Sequence, residues 1–406
     1  MSDRSQAWRQ PMPEAQFQFM RDLLAAPSPI GFEGAMTFGV LEPYVKEFAP
    51  SGWKLHRFRG NAGLVIDTAP DDSEALSVMV IGHADKIRMQ VRHVGDDGKI
   101  WINTDSFLPS TLIGHEVQLF SEDPAGPGQY RVIEGGTIEA IGAIHFADAE
   151  LRSGSRGIKP EMMFLELQIH GDDRREQVER LGIKAGDPIL LRRPIRRGFS
   201  PNTFYGAYLD NGLGVFLVAE VARLLAERGG LSKVRFLGAA ATHEEIGRQG
   251  SRVLAQEFRP DVVIGVDVSH DLEAAPGVSD KRFTKIRMGA GFTLSVGAIV
   301  LPQLNALIQD AARELEIPFQ LVGVGRDTGT DAMAAALASI DAAATSIGFP
   351  IRNMHTISEC GHTGDILAAI HAVAAFLESI DRRGLTAEDL RAGHVRLDDA
   401  RPLTSE

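Results

Sequence analysis

Two textures alternate along this chain, and their order limits the folds open to it. Short apolar runs of buried-strand type occur at Leu76–Ile81, Val234–Ala240, Val262–Val268, Phe292–Val296 and Ala344–Gly348. Helical spacing of apolar residues marks Phe17–Ala26, Gly34–Phe48, Gly214–Arg228, Pro302–Leu315 and Thr363–Asp381. Strands alternating with helices predict an α/β layer structure. Near the start, short strands over Ser51–Ala69 surround Arg59-Gly60-Asn61-Ala62-Gly63, a turn signal. Between residues 88 and 195 the texture changes. Gln90–Val94, Glu116–Phe120, Gln129–Ile133, Thr137–Ile141, Met163–Ile169 and Pro188–Arg192 are short strand-like stretches parted by Gly, Asp and Pro. That spacing predicts a small β-barrel or sandwich, interrupted by one helix near Arg174–Leu181 that Gly182 stops. The simplest architecture is one α/β domain over residues 1–87 and 196–385, with an all-β insert over 88–195. A polar tail follows over 386–406, where only Ala387–Arg391 has the makings of a helical turn.

Composition removes several classes of function. Lys and Arg number 42 against 54 Asp and Glu, a net charge of −12. Such a chain lacks the basic footprint of a general nucleic-acid binder and gives no reason to expect attraction to anionic lipid. Its one cysteine, Cys360, excludes an intrachain disulfide and any Cys-based zinc or iron–sulfur centre. The first sixteen residues lack the apolar segment of a signal peptide. Apolar stretches such as Ile81–Met89 and Ala332–Phe349 are broken by Asp85, Lys86 and Asp341, so no run approaches a membrane span. The expectation is a soluble, cytoplasmic protein.

Five segments place His or acidic side chains beside small residues where strands end: Gly82-His83-Ala84-Asp85, Leu209-Asp210-Asn211-Gly212, His243-Glu244-Glu245-Ile246-Gly247, Val266-Asp267-Val268 and Asn353-Met354-His355. Open α/β sheets bind ligands outside the carboxyl ends of their strands. Imidazoles and carboxylates gathered there suit a two-metal hydrolase, in which a spare carboxylate activates water. Singly, each segment has a plainer reading. A histidine is more often hydrogen-bonded structure than a ligand. Glu244-Glu245 suits a solvated helix start, Asp210-Asn211-Gly212 a turn or N-cap, and Asp267 a loop cap. Other motifs fail. His243-Glu244-Glu245-Ile246-Gly247 lacks the second histidine of a zincin, and Leu119 stands where His115-Glu116 would need it. Gly323-Val324-Gly325 lacks a third glycine at Thr328, no G-x-S-x-G occurs, and Cys360 beside His362 is an isolated pair.

Taken together and in this order, the segments resemble the glutamyl/deblocking aminopeptidase family, the tetrahedral aminopeptidases. These are di-metal exopeptidases, some of whose members are called endoglucanases. The likeness spans about residues 17–375 and begins at Leu24-Ala25-Ala26-Pro27-Ser28-Pro29-Ile30-Gly31-Phe32-Glu33 and Arg59-Gly60-Asn61. It continues through the segments above, Gly182-Ile183-Lys184-Ala185-Gly186-Asp187 in the insert, and Gly329-Thr330-Asp331-Ala332. The resemblance implies a mixed-sheet di-zinc exopeptidase domain carrying a small β-barrel, with two divalent ions per subunit, Zn or Co. His83 and Asp267 would hold one ion, Glu245 and His355 the other, and Asp210 would bridge them. Glu244 would be the general base, and Asp85 would orient the His83 imidazole. Peptides or small amides would be the substrates, and subunits would assemble as homo-oligomers from dimer to dodecamer. Lys86 and Arg88 stand where the family usually has Glu and Gly, and His243 where it often has Gln. Lys86, Arg88 and Asp331 are thus candidate substrate contacts, the two cations favouring acidic or amidated N-terminal residues. Two alternatives stay open: an amide hydrolase or deacylase acting on a small conjugated metabolite, and a non-catalytic member of the same fold.

Overall fold

Strands apolar along their whole length need cover on both faces. A computed structural model of the chain supplies it; the structure describes residues 4–392 except 59, 61–62, 105–106, 278–283 and 340. Arg59, Asn61 and Ala62 of the turn signal, and residues 393–406 of the tail, lie outside the described residues. The strands are β1 (Lys54–Phe58), β2 (Gly63–Asp67), β3 (Leu76–His83), β4 (Met89–Val94), β5 (Ile100–Asn103), β6 (Glu116–Glu122), β7 (Tyr130–Glu139), β8 (Phe164–Glu166) and β9 (Pro188–Leu191). They continue as β10 (Arg196–Arg197), β11 (Thr203–Gly206), β12 (Val234–Ala241), β13 (Val262–His270), β14 (Phe292–Gly297), β15 (Phe319–Val324), β16 (Ala343–Ile351) and β17 (Glu359–His362).

One 8-stranded mixed sheet runs β1-β2-β12-β3-β13-β16-β14-β15. Its centre, β12-β3-β13-β16, is parallel throughout. Every residue of β3 is buried, and the strand's two faces feed different cores. Val78 and Val80 pack with the helices Leu209–Glu227 and Thr363–Arg383, whereas Met79 and Ile81 pack with Leu254, Ala255 and Ala335 of the helices Gln249–Phe258 and Asp331–Ala338. This period of two is the strand pleat expressed as packing. The helix Thr363–Arg383 corrects one expectation: it is long and apolar enough to cross a membrane, at mean hydropathy 1.4. With 78% of that window buried inside the fold, it is a core helix.

Strands β4-β5-β8-β7-β6-β9 close a barrel with its own core, built around Met89, Val91, Ile102, Leu119, Ile138 and Ile189. Gln129–Ile133 and Thr137–Ile141, read as two strands, are one. The register with β6 shifts between Val117 and Leu119, and Gly135 sits at φ +83°. The glycine pair therefore makes a bulge rather than a turn. Tyr208, just before the helix Leu209–Glu227, ties that helix to the barrel, its hydroxyl accepting from the Leu191 N–H at 2.8 Å.

Candidate metal centre

Because β12, β3, β13 and β16 are parallel neighbours, their carboxyl ends share one edge of the sheet. His83 is the last residue of β3, Asp267 lies near the end of β13, the turn bearing Glu244 and Glu245 follows β12, and the loop bearing His355 follows β16. Asp210 comes from the first turn of the helix Leu209–Glu227. The five expected ligands and Glu244 meet there. His83 Nε2 lies 3.2 Å from Asp210 Oδ1, 3.8 Å from Asp267 Oδ1 and 3.9 Å from Glu244 Oε2. His355 Nε2 lies 3.1 Å from Asp210 Oδ2 and 3.8 Å from Glu245 Oε1. Asp210 thus stands between the two imidazoles.

Small residues make this convergence possible. A Cβ on Gly82 would sit 2.6 Å from the Gly214 carbonyl carbon, and one on Gly214 would sit 2.8 Å from Val266 O. Bare glycines let the Asp210 helix press onto β3 and β13. Asn211 fixes it there, donating from Nδ2 to Val266 O at 2.7 Å and accepting from the Gly214 N–H at 2.9 Å. The turn after β12 is equally tight. Gly250 N donates to Thr242 O at 2.9 Å, and a Cβ on Gly250 would meet that oxygen at 2.3 Å. Asp85, fully buried, accepts the backbone N–H groups of Glu244 and Glu245, each at 3.1 Å, and its Oδ1 lies 3.4 Å from His83 Nδ1. Glu359 on β17 clamps the remaining two ligand segments, accepting from His355 N at 2.7 Å and Leu209 N at 2.6 Å.

The donor set fits divalent cations. His83 Nδ1 lies 3.1 Å from the Asp85 carbonyl oxygen, a partner that can only accept. A ring proton therefore belongs on Nδ1, which leaves Nε2, facing Asp210 Oδ1, as the nitrogen that can give up its proton to a cation. Two acceptors at that distance repel unless a cation or a proton lies between them. Asp210 Oδ1 and Glu245 Oε1 are buried without hydrogen-bond partners. Atoms of His83, Asp210 and Glu245 lie within 4.8 Å of one another, close enough to share an ion. Burial, with the Asp210 charge added, pushes the carboxyls of Asp267, Glu244 and Glu245 upward, the last to about 9. Burial also works against a charged His83, but Asp85, Asp210 and Asp267 outweigh it and hold its pKa well above the ordinary value. Burial opposes ionisation of Asp210 too, yet its contacts with His355 and His83 bring its pKa down. Left to itself, the cluster stores protons where it lacks positive charge.

Two of the candidate substrate contacts are enclosed instead. Lys86 is 2% exposed, and its Nζ donates to the Leu24 carbonyl at 2.8 Å and the Ala26 carbonyl at 2.5 Å. A long cationic stem can be buried when main-chain oxygens receive its head. Burial pushes its pKa down to about 7. Lys86 thus braces the Leu24–Ala26 segment, its ammonium turned to main-chain oxygens. Asp331 is 2% exposed at the first turn of its helix, and burial raises its carboxyl to about 7. Arg88 is half-buried and donates to Gln90 Oε1 at 2.8 Å. Three residues near the centre escaped the sequence reading. Glu359 follows His355 by four positions but belongs to a separate strand, so no local pattern marks it. His270 ends β13, with burial and His355 lowering its pKa. Arg248 donates to Glu244.

A parallel-centred sheet thus carries a His/carboxylate cluster at its carboxyl edge and is joined to a closed barrel. The model of the M42 glutamyl aminopeptidase family matches residues 63–371, and the chain belongs to that family. It is accordingly a hydrolase of the aminopeptidase class, and a metallopeptidase. A lysyl aminopeptidase of Pyrococcus furiosus is 26% identical over 373 residues, covering 90% of this chain and 97% of the relative. Among solved structures, a TET aminopeptidase from the marine sediment archaeon Thaumarchaeota archaeon SCGC AB-539-E09 superposes with TM-score 0.80 at 21% identity, over 93% of this chain and 99% of that one. The TET1 peptidase of Pyrococcus horikoshii, which can assemble into a tetrahedron or a large octahedral shell, superposes with TM-score 0.71 at 17% identity, over 89% and 99%.

Proposed function

We propose that this chain removes N-terminal residues from peptides, using two divalent ions, Zn²⁺ or Co²⁺, and Glu244 as general base. His83 and Asp267 would hold one ion, Glu245 and His355 the other, with Asp210 shared between them. The observation that carries this reading is the convergence of His83, Asp210 and Glu245, whose ligand atoms lie within 4.8 Å of one another in a cluster with a surplus of carboxylates. When bound, the ions supply Lewis acidity toward the scissile carbonyl and acidify water, whose pKa falls to about 7 in well-studied zinc sites. The chain's own residues do the rest. Glu244 takes a proton from the attacking water and returns it to the leaving amine. Burial favours this, because a carboxyl of raised pKa is the better base near neutrality. Asp85 fixes the His83 tautomer and the backbone of both glutamates. The free α-amine of a peptide would bind near the carboxylates and the ions, which confines cleavage to the N-terminal bond.

The family relationship and the TET assemblies support a homo-oligomer in which the barrel serves assembly or substrate access. The single cysteine suits a cytoplasmic setting.

Glu244→Gln tests the reading. The variant should keep its metal content and lose about 100- to 10,000-fold in kcat, the usual worth of a positioned base. Wild-type turnover in a metal-loaded Glu244→Gln sample would end the assignment. Comparing free-amine peptides with N-acylated ones separates an aminopeptidase from a deacylase.

A further inference from the structure

Glu244 divides its carboxylate between two tasks. Oε2 turns toward the cluster, 3.9 Å from His83 Nε2, while Oε1 accepts from Arg248 Nε at 3.1 Å. The guanidinium is itself fixed, since Nη1 donates to Asp327 Oδ1 at 2.9 Å and Oδ2 at 2.7 Å. Arg248 reaches back through the backbone of a tight turn. The N–H groups of Gly247 and Arg248 both donate to Glu244 O, at 3.0 and 2.9 Å. Gly247 stands at φ +119° and Arg248 at +57°, a left-handed conformation that costs energy for any residue but glycine. Such strain persists only where its surroundings impose it, and it gathers at functional sites. Two of the three guanidinium nitrogens, Nε and Nη1, are thus engaged by protein carboxylates.

We infer that Arg248, braced by Asp327, is a positioning residue that holds Glu244 with one oxygen facing the cluster and keeps it from joining the ligands. The inference rests on the reading of Glu244 as the base. A glutamate has three side-chain torsions, and without a partner its carboxylate would wander among several rotamers. The planar fork of arginine can bridge two carboxylates in fixed geometry, whereas a lysine ammonium supplies charge alone. The brace comes from a distant segment. Asp327 lies between β15 and the helix Asp331–Ala338, so the aim of Glu244 depends on two separate stretches of chain.

Steady-state kinetics of the zinc-loaded full chain, on an aminoacyl chromogenic substrate, test this. Arg248→Ala should lower kcat by about 10- to 100-fold, with KM held within about twofold and metal content unchanged, as expected when a reacting group is misplaced. Arg248→Lys should stay at least about fivefold below the parent, since charge without the fork does not restore the geometry. Asp327→Asn should lower kcat about threefold alone and cause no further loss in the Arg248→Ala background, because one chain of contacts is being broken. A kcat within twofold of the parent for Arg248→Ala, or additive losses in the double variant, would overturn the inference. Should Arg248→Ala fail to fold, Asp327→Asn decides: an unchanged kcat counts against the inference, a fall in kcat at constant KM for it. Full activity in Glu244→Gln would remove the base itself. An inactive Glu244→Gln beside a normal Arg248→Ala would remove only the role given to Arg248.

Discussion

Gly214→Ala puts the close approach of helix and sheet under direct stress. The new Cβ would lie 2.6 Å from Asn211 Oδ1 and 2.8 Å from both Asn211 Nδ2 and Val266 O. Carbon contacts are comfortable at about 3.5–4.0 Å, so the helix must retreat by up to about 1 Å or Asn211 must swing away. Overpacking of this kind costs about 1–3 kcal/mol. Loss of the buried Asn211 bonds adds about 1–3 kcal/mol. Alanine returns about 1 kcal/mol of helix propensity, leaving a net loss of about 1–5 kcal/mol. At roughly 2 °C per kcal/mol for a chain of this size, the melting temperature should drop by about 2–10 °C. Asp210 sits four residues before Gly214 and moves with it, so zinc affinity should fall by about 10- to 100-fold, as when supports of metal ligands are lost. Thermal melts of the metal-free protein and zinc titration against a competing chelator read both effects. Gly39→Ala is the control: its nearest neighbour would be Gly34 O at 3.9 Å, and it should shift stability by no more than about 0.5 kcal/mol. A Gly214→Ala protein that melts and binds zinc like the parent would refute the steric reasoning.

Glu359→Gln leaves one carbonyl oxygen where two carboxylate oxygens accept from His355 N and Leu209 N. Zinc affinity should fall by about 10-fold or more with the fold intact by circular dichroism; unchanged affinity would show that the clamp is dispensable. The metal-free cluster holds protons, with the Glu245 carboxyl near 9 and the His83 pKa raised well above its ordinary value. Cations bind the deprotonated groups, so zinc loading at neutral pH should release protons, and affinity should climb with pH until about 9. Calorimetric titrations in buffers of differing ionisation enthalpy measure that release, and none should be seen if the carboxyls are already ionised.

Much of the sheet was legible because its strands are short apolar runs that stop at Gly82-His83 or pass through Asp267. Their convergence follows from parallel order, which strand–helix alternation implies. The chemistry was less local. His83, Asp210, Glu245, Asp267 and His355 are weak signals singly, and only their sequence order, matched to a family, made them a set. The barrel was legible in kind but not in detail: Gly135-Gly136 looks like a break and is a bulge. The burial of Lys86 was not legible in the sequence. Two carbonyls of the preceding helix end enclose it, a tertiary fact with no local trace. Glu359 and Asp327 were invisible for the same reason, since each acts across chain segments. Arg248, four residues after Glu244, offered a hint, yet the left-handed turn that folds it back was not readable from helical spacing.

Metal content per chain, measured after zinc loading and dialysis for the parent and for Asp210→Asn, tests the paired centre most directly. We expect roughly two ions per parent chain and at most about one in the variant, because the shared carboxylate is gone. A parent holding less than half an ion, or an Asp210→Asn protein holding as many ions as the parent, would contradict it.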